Sequence, residues 1–248
     1  MRRNYSNGMD RKVYYSFHDI PFSVDTGYYH SGYYYRNKSF STSRTEMVHL
    51  VISIFTLSVA FAFAIAGGIT GLYYSRDPVM ELSYSFIFSF AAILTGFFFH
   101  EMSHKYMASR YGLWAEYRMY PLGLMLALLF SVLLGYTIAA PGAVNVAGGA
   151  RRFEIGRVAA AGPMANIVIG STFLLLYMKV GLDSIYGAIL GFVAMINIFL
   201  AFFNLIPFGP LDGRKIIMWN SVVWAGMFTV SLFLLVIIVN MGIIIPGF

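Results

Sequence analysis

The chain has no cysteine among its 248 residues, which excludes disulfides and thiolate ligands and leaves His, Asp and Glu as the only strong side-chain donors to a metal. Charge is scarce too. Asp, Glu, Lys and Arg make up 11% of the residues, against about 25% in soluble domains, while hydrophobic residues reach 58%. This balance excludes an ordinary soluble domain and points to an integral membrane protein. The formal net charge of +6 does not indicate nucleic acid, because Lys and Arg are scattered between apolar runs and form no single basic face. Their placement is explained better by orientation in a membrane.

Histidine is also rare, with five in the chain, and two of them stand in His100-Glu101-Met102-Ser103-His104. The motif follows an apolar run, Leu82 to Phe99, that holds no charged residue. On a helix, residues four apart lie one above the other, so His100 and His104 offer two imidazoles to one metal ion. Glu101 lies one residue round the helix, where a carboxylate serves as general base rather than ligand. With five His and five Glu, random order produces this pattern in roughly 0.2% of such chains. Ionisable groups at the end of a long apolar run are costly and mark function.

Residues 1–45 form a separate cytoplasmic segment, holding eight of the eighteen Tyr and seven of the seventeen Lys and Arg, with no apolar run long enough for a signal peptide. Its rings and cations suit contact with lipid headgroups, and a lid over the site is the sharper alternative. Residues 46–248 form the membrane domain. Spans are expected at Met47–Tyr74, from Leu82 through the His pair, at Val158–Met178 and from Ser184 to about Pro207, with one more in the uncharged stretch after Lys215. The architecture is therefore all-α, a polytopic bundle of about five transmembrane helices. Pro121–Gly142 is apolar as well, and charge counting decides its course. If it enters and leaves on one face, fifteen Lys and Arg lie on the N-terminal side and two, Arg76 and Lys179, on the other. Full crossing destroys that asymmetry. A re-entrant hairpin is expected, with Gly135, Pro141 and Gly142 as bending points and a strand edge able to hold an unwound peptide.

A catalytic zinc usually has three protein ligands. His49, Glu116, Glu154 and Asp183 are available, but Asp212 is the best third ligand, because Pro207, Gly209, Pro210 and Gly213 break the helix and turn its carboxylate sideways. Alone, Asp212 would be read as a helix cap. Asn166 and Asn204 lie in apolar helices, where they either pack by hydrogen bonding or hold a substrate backbone or oxyanion.

The motif at 100–104, Gly162-Pro163-x-x-Asn166, and Asn204-x-x-Pro207-x-x-Pro210-Leu211-Asp212-Gly213 together resemble the site-2 protease family of intramembrane zinc metalloproteases. The resemblance covers roughly residues 82–215. It implies one zinc ion per chain held by His100, His104 and Asp212, with Glu101 as catalytic base. It also implies a membrane-spanning protein as substrate, cut near the cytoplasmic face by a multi-pass protein of the cell membrane. The Tyr-rich N-terminal segment and the Pro121–Gly142 insertion depart from the shortest members. Two other readings compete: a catalytically silent relative or metal-dependent transporter, which needs the ligands but not Glu101, and a membrane scaffold acting through its Tyr-rich segment.

Overall fold

The computed structural model describes residues 40–181 and 184–243. Most of the 1–45 segment, with its lid alternative, lies outside them, as does Asp183. The first helix, α1 (Arg44–Ile65), starts at Ser43, whose hydroxyl accepts the Glu46 N–H. Its 22 residues measure about 33 Å, enough to cross a bilayer core of about 30 Å. The uncharged run does not continue as one helix. Gly67, at φ +74°, breaks it, and a short α2 (Gly68–Tyr74) follows.

Asp77 caps α3 (Pro78–Ile93), with Pro78 in the first turn, where its missing N–H costs nothing. A π-helical turn, Leu94–Phe98, joins it to α4 (Phe99–Arg110), which carries the His pair. Asn197 of a later helix donates to Thr95 Oγ1 (3.1 Å) and pins this turn.

The region after α4 departs from an all-helical expectation. β1 (Trp114–Met119) pairs antiparallel with β2 (Gly142–Ala147), and α5 (Pro121–Leu134) lies between them. Met119 faces Gly142, and the Tyr120 N–H donates to Pro141 O (2.9 Å), so the segment leaves and returns at one point, in keeping with a re-entrant course. It goes deep. Gly135, left-handed at φ +73°, ends α5 and seats directly against Gly67 and Gly68 at the far end of α1. A Cβ at Gly68 would meet Gly135 N and Val132 O at 2.8 Å, so this approach needs the missing side chain.

α6 (Arg152–Val180) and α7 (Ile185–Asn204) form the next two spans, capped by the Arg151–Glu154 box and by Ser184. They pack closely, with Ile198 lying over Gly170. The short α8 (Asp212–Trp219) precedes α9 (Ser221–Asn240), which Asn220 caps. The last uncharged stretch thus holds one span, with α8 as a separate piece before it.

Five of these units are long and apolar enough to cross a membrane: α1, the continuous α3–α4 unit, α6, α7 and α9. Their outward faces are apolar, Phe233 and Leu175 being among the exposed side chains, while Ser53, Ser58, Ser89, Asn166 and Asn197 are buried inside. Apolar surface outward and polar groups inward is the arrangement that hydrocarbon surroundings require. This is an all-α polytopic membrane protein with a small two-stranded sheet.

Candidate metal centre

His100 and His104 stand one turn apart on α4, and both rings turn inward, only 6% exposed. Their Nε2 atoms lie 3.0 Å apart. His104 Nδ1 sits 2.7 Å from Val158 O on α6, and a carbonyl can only accept, so that nitrogen carries the proton. In the neutral ring the Nε2 lone pair is then free and faces the site.

The helix-breaking run after α7 brings in a third donor. Leu205 to Leu211 turn the chain sharply, Gly209 adopting φ +53°, and Asp212 opens α8 with its side chain pointing back to α4. Asp212 Oδ2 lies 3.3 Å from His100 Nε2 and 3.0 Å from His104 Nε2. Asp212 is not a helix cap, because Leu211 holds that position and Asn220 caps α9. Burial opposes ionisation of its carboxyl, but His104, when its imidazole is protonated, and the Lys215 ammonium outweigh it and hold the group well below the usual carboxylate range. Lys215 Nζ is 3.4 Å from Oδ1.

These three atoms fit a metal. Bonds of about 2.0–2.2 Å in a tetrahedral zinc site set neighbouring N and O ligands about 3.3 Å apart, and the observed separations are 3.0, 3.0 and 3.3 Å. Among the described residues, His100, His104 and Asp212 are the group whose donor atoms converge within 4.8 Å. Gly162 on α6 leaves the space, because a Cβ there would collide with the Nε2 atoms of both rings.

Glu101 is buried beside the group and is held from the side by the sheet, its Oε2 accepting the Val144 N–H (3.1 Å). Asn166 lies one turn past Gly162 on the same face of α6, fully buried, with neither side-chain Oδ1 nor Nδ2 hydrogen-bonded among the described residues. Asn204 donates to Leu200 O of its own helix (3.0 Å) and no hydrogen bond joins it to the cluster. The other carboxylates are committed elsewhere: Glu116 to Ser43 and Arg118, Glu154 to Arg151. His49 is not part of the converging group.

Sequence reasoning missed Val144 and Val158 as parts of the site and met Gly162 only as a letter of the Gly162-Pro163-x-x-Asn166 motif, without its role. The alternation Val144-Asn145-Val146 is a weak strand signal that could have found the first. The others act through a carbonyl and through a missing side chain, which leave little trace in residue type.

Fold and cluster together define a polytopic membrane protein with a buried candidate metal centre at one end of its bundle. No family model matches the chain, and no solved structure matches it. A protein of Methanocaldococcus jannaschii named "Putative zinc metalloprotease" is 36% identical over 189 residues, which cover 75% of this chain and 90% of that relative. A Synechocystis protein of the same description is 40% identical over 67 residues, 27% of this chain and 17% of its own length. The chain belongs to the zinc metalloprotease family that the first of these represents.

Proposed function

We propose that the protein is an intramembrane zinc metalloendopeptidase of the site-2 protease type, cutting membrane-embedded protein segments near the cytoplasmic face. The observation that carries this is the convergence of His100 Nε2, His104 Nε2 and Asp212 Oδ2 beside a second, separately held carboxylate, Glu101. The names of the two relatives support zinc and proteolysis. The positive-inside distribution supports a cytoplasmic N-terminus and a site opening to that face.

In this reading His100, His104 and Asp212 hold one zinc ion, which, when bound, supplies Lewis acidity toward a carbonyl and acidifies water. Glu101 takes the proton from the attacking water and delivers it to the leaving amine. His104 keeps its productive tautomer through Val158 O, and the Val144 N–H orients Glu101. Asn166, buried and without a partner among the described residues, is suited to a substrate carbonyl or a developing oxyanion, and the same substrate-binding or oxyanion role is proposed for Asn204. The edge of β2 away from β1, on either side of the Val144 N–H that Glu101 occupies, is suited to an extended peptide, which fits a helical substrate that must unwind before it is cut.

A transporter would use the same ligands, but it has no need of Glu101 fixed by a strand edge. Incubating the purified protein with a tagged transmembrane substrate, with and without a zinc chelator, decides between them. Cleavage that the chelator abolishes is expected. Metal movement across a vesicle membrane with no cleavage would overturn the peptidase reading.

A further inference from the structure

The first turn of α1 holds a fully buried carboxylate, Glu46, which the mechanism does not use. One oxygen, Oε2, is paired with the Lys105 ammonium, itself only 2% exposed and the residue directly after His104. The other, Oε1, accepts the backbone N–H of Tyr117 in β1 (3.0 Å). Tyr117 is the register partner of Val144, whose N–H is the one that holds Glu101. Both amides point away from the sheet, as they do in a non-hydrogen-bonded pair of an antiparallel ladder. The two strands are thus gripped at one cross-strand pair by two buried carboxylates from opposite edges, Glu46 on α1 and Glu101 on α4.

We propose that Glu46 is a positioning residue for Glu101: by accepting the Tyr117 N–H it fixes the sheet, and so sets where the Val144 N–H meets the base. The proposal rests on reading Glu101 as that base. The path closes on itself, running from Glu101 through Val144, Tyr117, Glu46 and Lys105 back into α4 beside His104. A sheet of two six-residue strands is marginal alone, so its position must come from outside contacts. The Tyr117 hydroxyl adds one on α1, lying 2.9 Å from Ser53 Oγ while its proton can go to Pro141 O, also at 2.9 Å. What Glu46 supplies to the strand is an acceptor, whereas its charge answers Lys105. These two roles are separable by mutation.

Removing one member of a buried ion pair leaves the other charge stranded, so single variants would confuse misfolding with mispositioning. The informative comparison is E46Q/K105M against E46L/K105M. Both lack the two charges, and the first alone keeps an oxygen for the Tyr117 N–H. Amide hydrogen exchange is measured across 114–119 and 142–147 in the full chain, together with metal content and cleavage of the tagged transmembrane substrate. E46L/K105M is expected to exchange at least about tenfold faster in both strands and to lose at least about tenfold in kcat/KM, with bound metal unchanged, and E46Q/K105M to restore both. Equal exchange in the two variants overturns the proposal whether or not that substrate is cut. If exchange differs but cleavage per bound metal does not, Glu46 supports the strands alone and the positioning role falls. Absence of cleavage by the unaltered chain would instead count against the peptidase reading, with exchange still deciding whether Glu46 holds the sheet.

Discussion

Gly162→Ala is a small change with a large expected effect confined to the metal. A methyl at this position would stand 2.7 Å from His100 Nε2 and closer still to His104 Nε2. Non-bonded heavy atoms rest about 3.5–4.0 Å apart, so at least one ring must retreat by roughly 1 Å. A nitrogen moved that far from a bond of about 2.0 Å is no longer a ligand. Disturbing groups that merely support a ligand already costs 10–100-fold in affinity, and this change reaches the ligands themselves, so a loss of at least ~100-fold is expected, or about 2.7 kcal/mol. The helix should tolerate it, because Gly162 has helical backbone inside α6 and Ala is favoured over Gly there by about 0.8–1.0 kcal/mol. Gly226→Ala is the control, a glycine inside α9 with nothing within 4 Å of a Cβ. Metal retained per chain is measured against graded chelator, beside thermal unfolding in detergent. If Gly162→Ala holds the ion as tightly as the unaltered chain does, the assignment of His100 and His104 as joint ligands is wrong.

Other changes separate the roles further. Glu101→Gln keeps an oxygen for the Val144 N–H and should retain about one zinc per chain while losing cleavage; full activity would remove Glu101 as the base. Asp212→Ala should lose both metal and activity, and normal zinc content would leave that carboxylate without its proposed role. Asn166→Ala and Asn204→Ala should keep zinc but cleave more slowly, and whichever cleaves normally is a packing residue only. Because the chain has no native cysteine, Trp114→Cys and Gly149→Cys, both exposed near the ends of the sheet, report which side it faces. Neither should react in intact cells with an impermeant thiol reagent. Labelling of either from outside would refute the cytoplasmic placement.

Much of the frame was legible because a bilayer imposes length and polarity on each span, and those are properties of contiguous residues. The His pair was legible for the same reason, since four residues on a helix fix a geometry without help from the rest of the fold. Asp212 is 108 positions beyond His104, but topology narrowed its place, because the fourth span had to end where the second did. The sheet was harder. β1 and β2 are short, 22 residues separate Met119 from Gly142, and the apolar segment between them reads as membrane helix, which α5 partly is. The Glu46–Lys105 pair joins residues 59 apart and has no local signature at all. Gly162 illustrates a different limit: its contribution is empty volume, which shows only when the neighbours are in place.

The π-helical turn at Leu94–Phe98 works as a phase adjustment between anchor and chemistry. Ala92, Gly96, His100, His104 and Ala108 recur every four residues and all are buried. In a straight α-helix each such step rotates the stripe by about 40°, so five positions would wind roughly 160° around the axis and carry one end out to lipid. The wider turn absorbs part of that rotation, and Asn197 holds it from α7. A chain with one residue deleted from this turn would keep its apolar length, its hydropathy and the intact His100–His104 motif, yet the imidazoles would swing by about 100° away from α6. For this helix, competence is encoded in a residue count upstream of the motif, and a relative lacking that one residue could carry every expected letter and still assemble no metal centre.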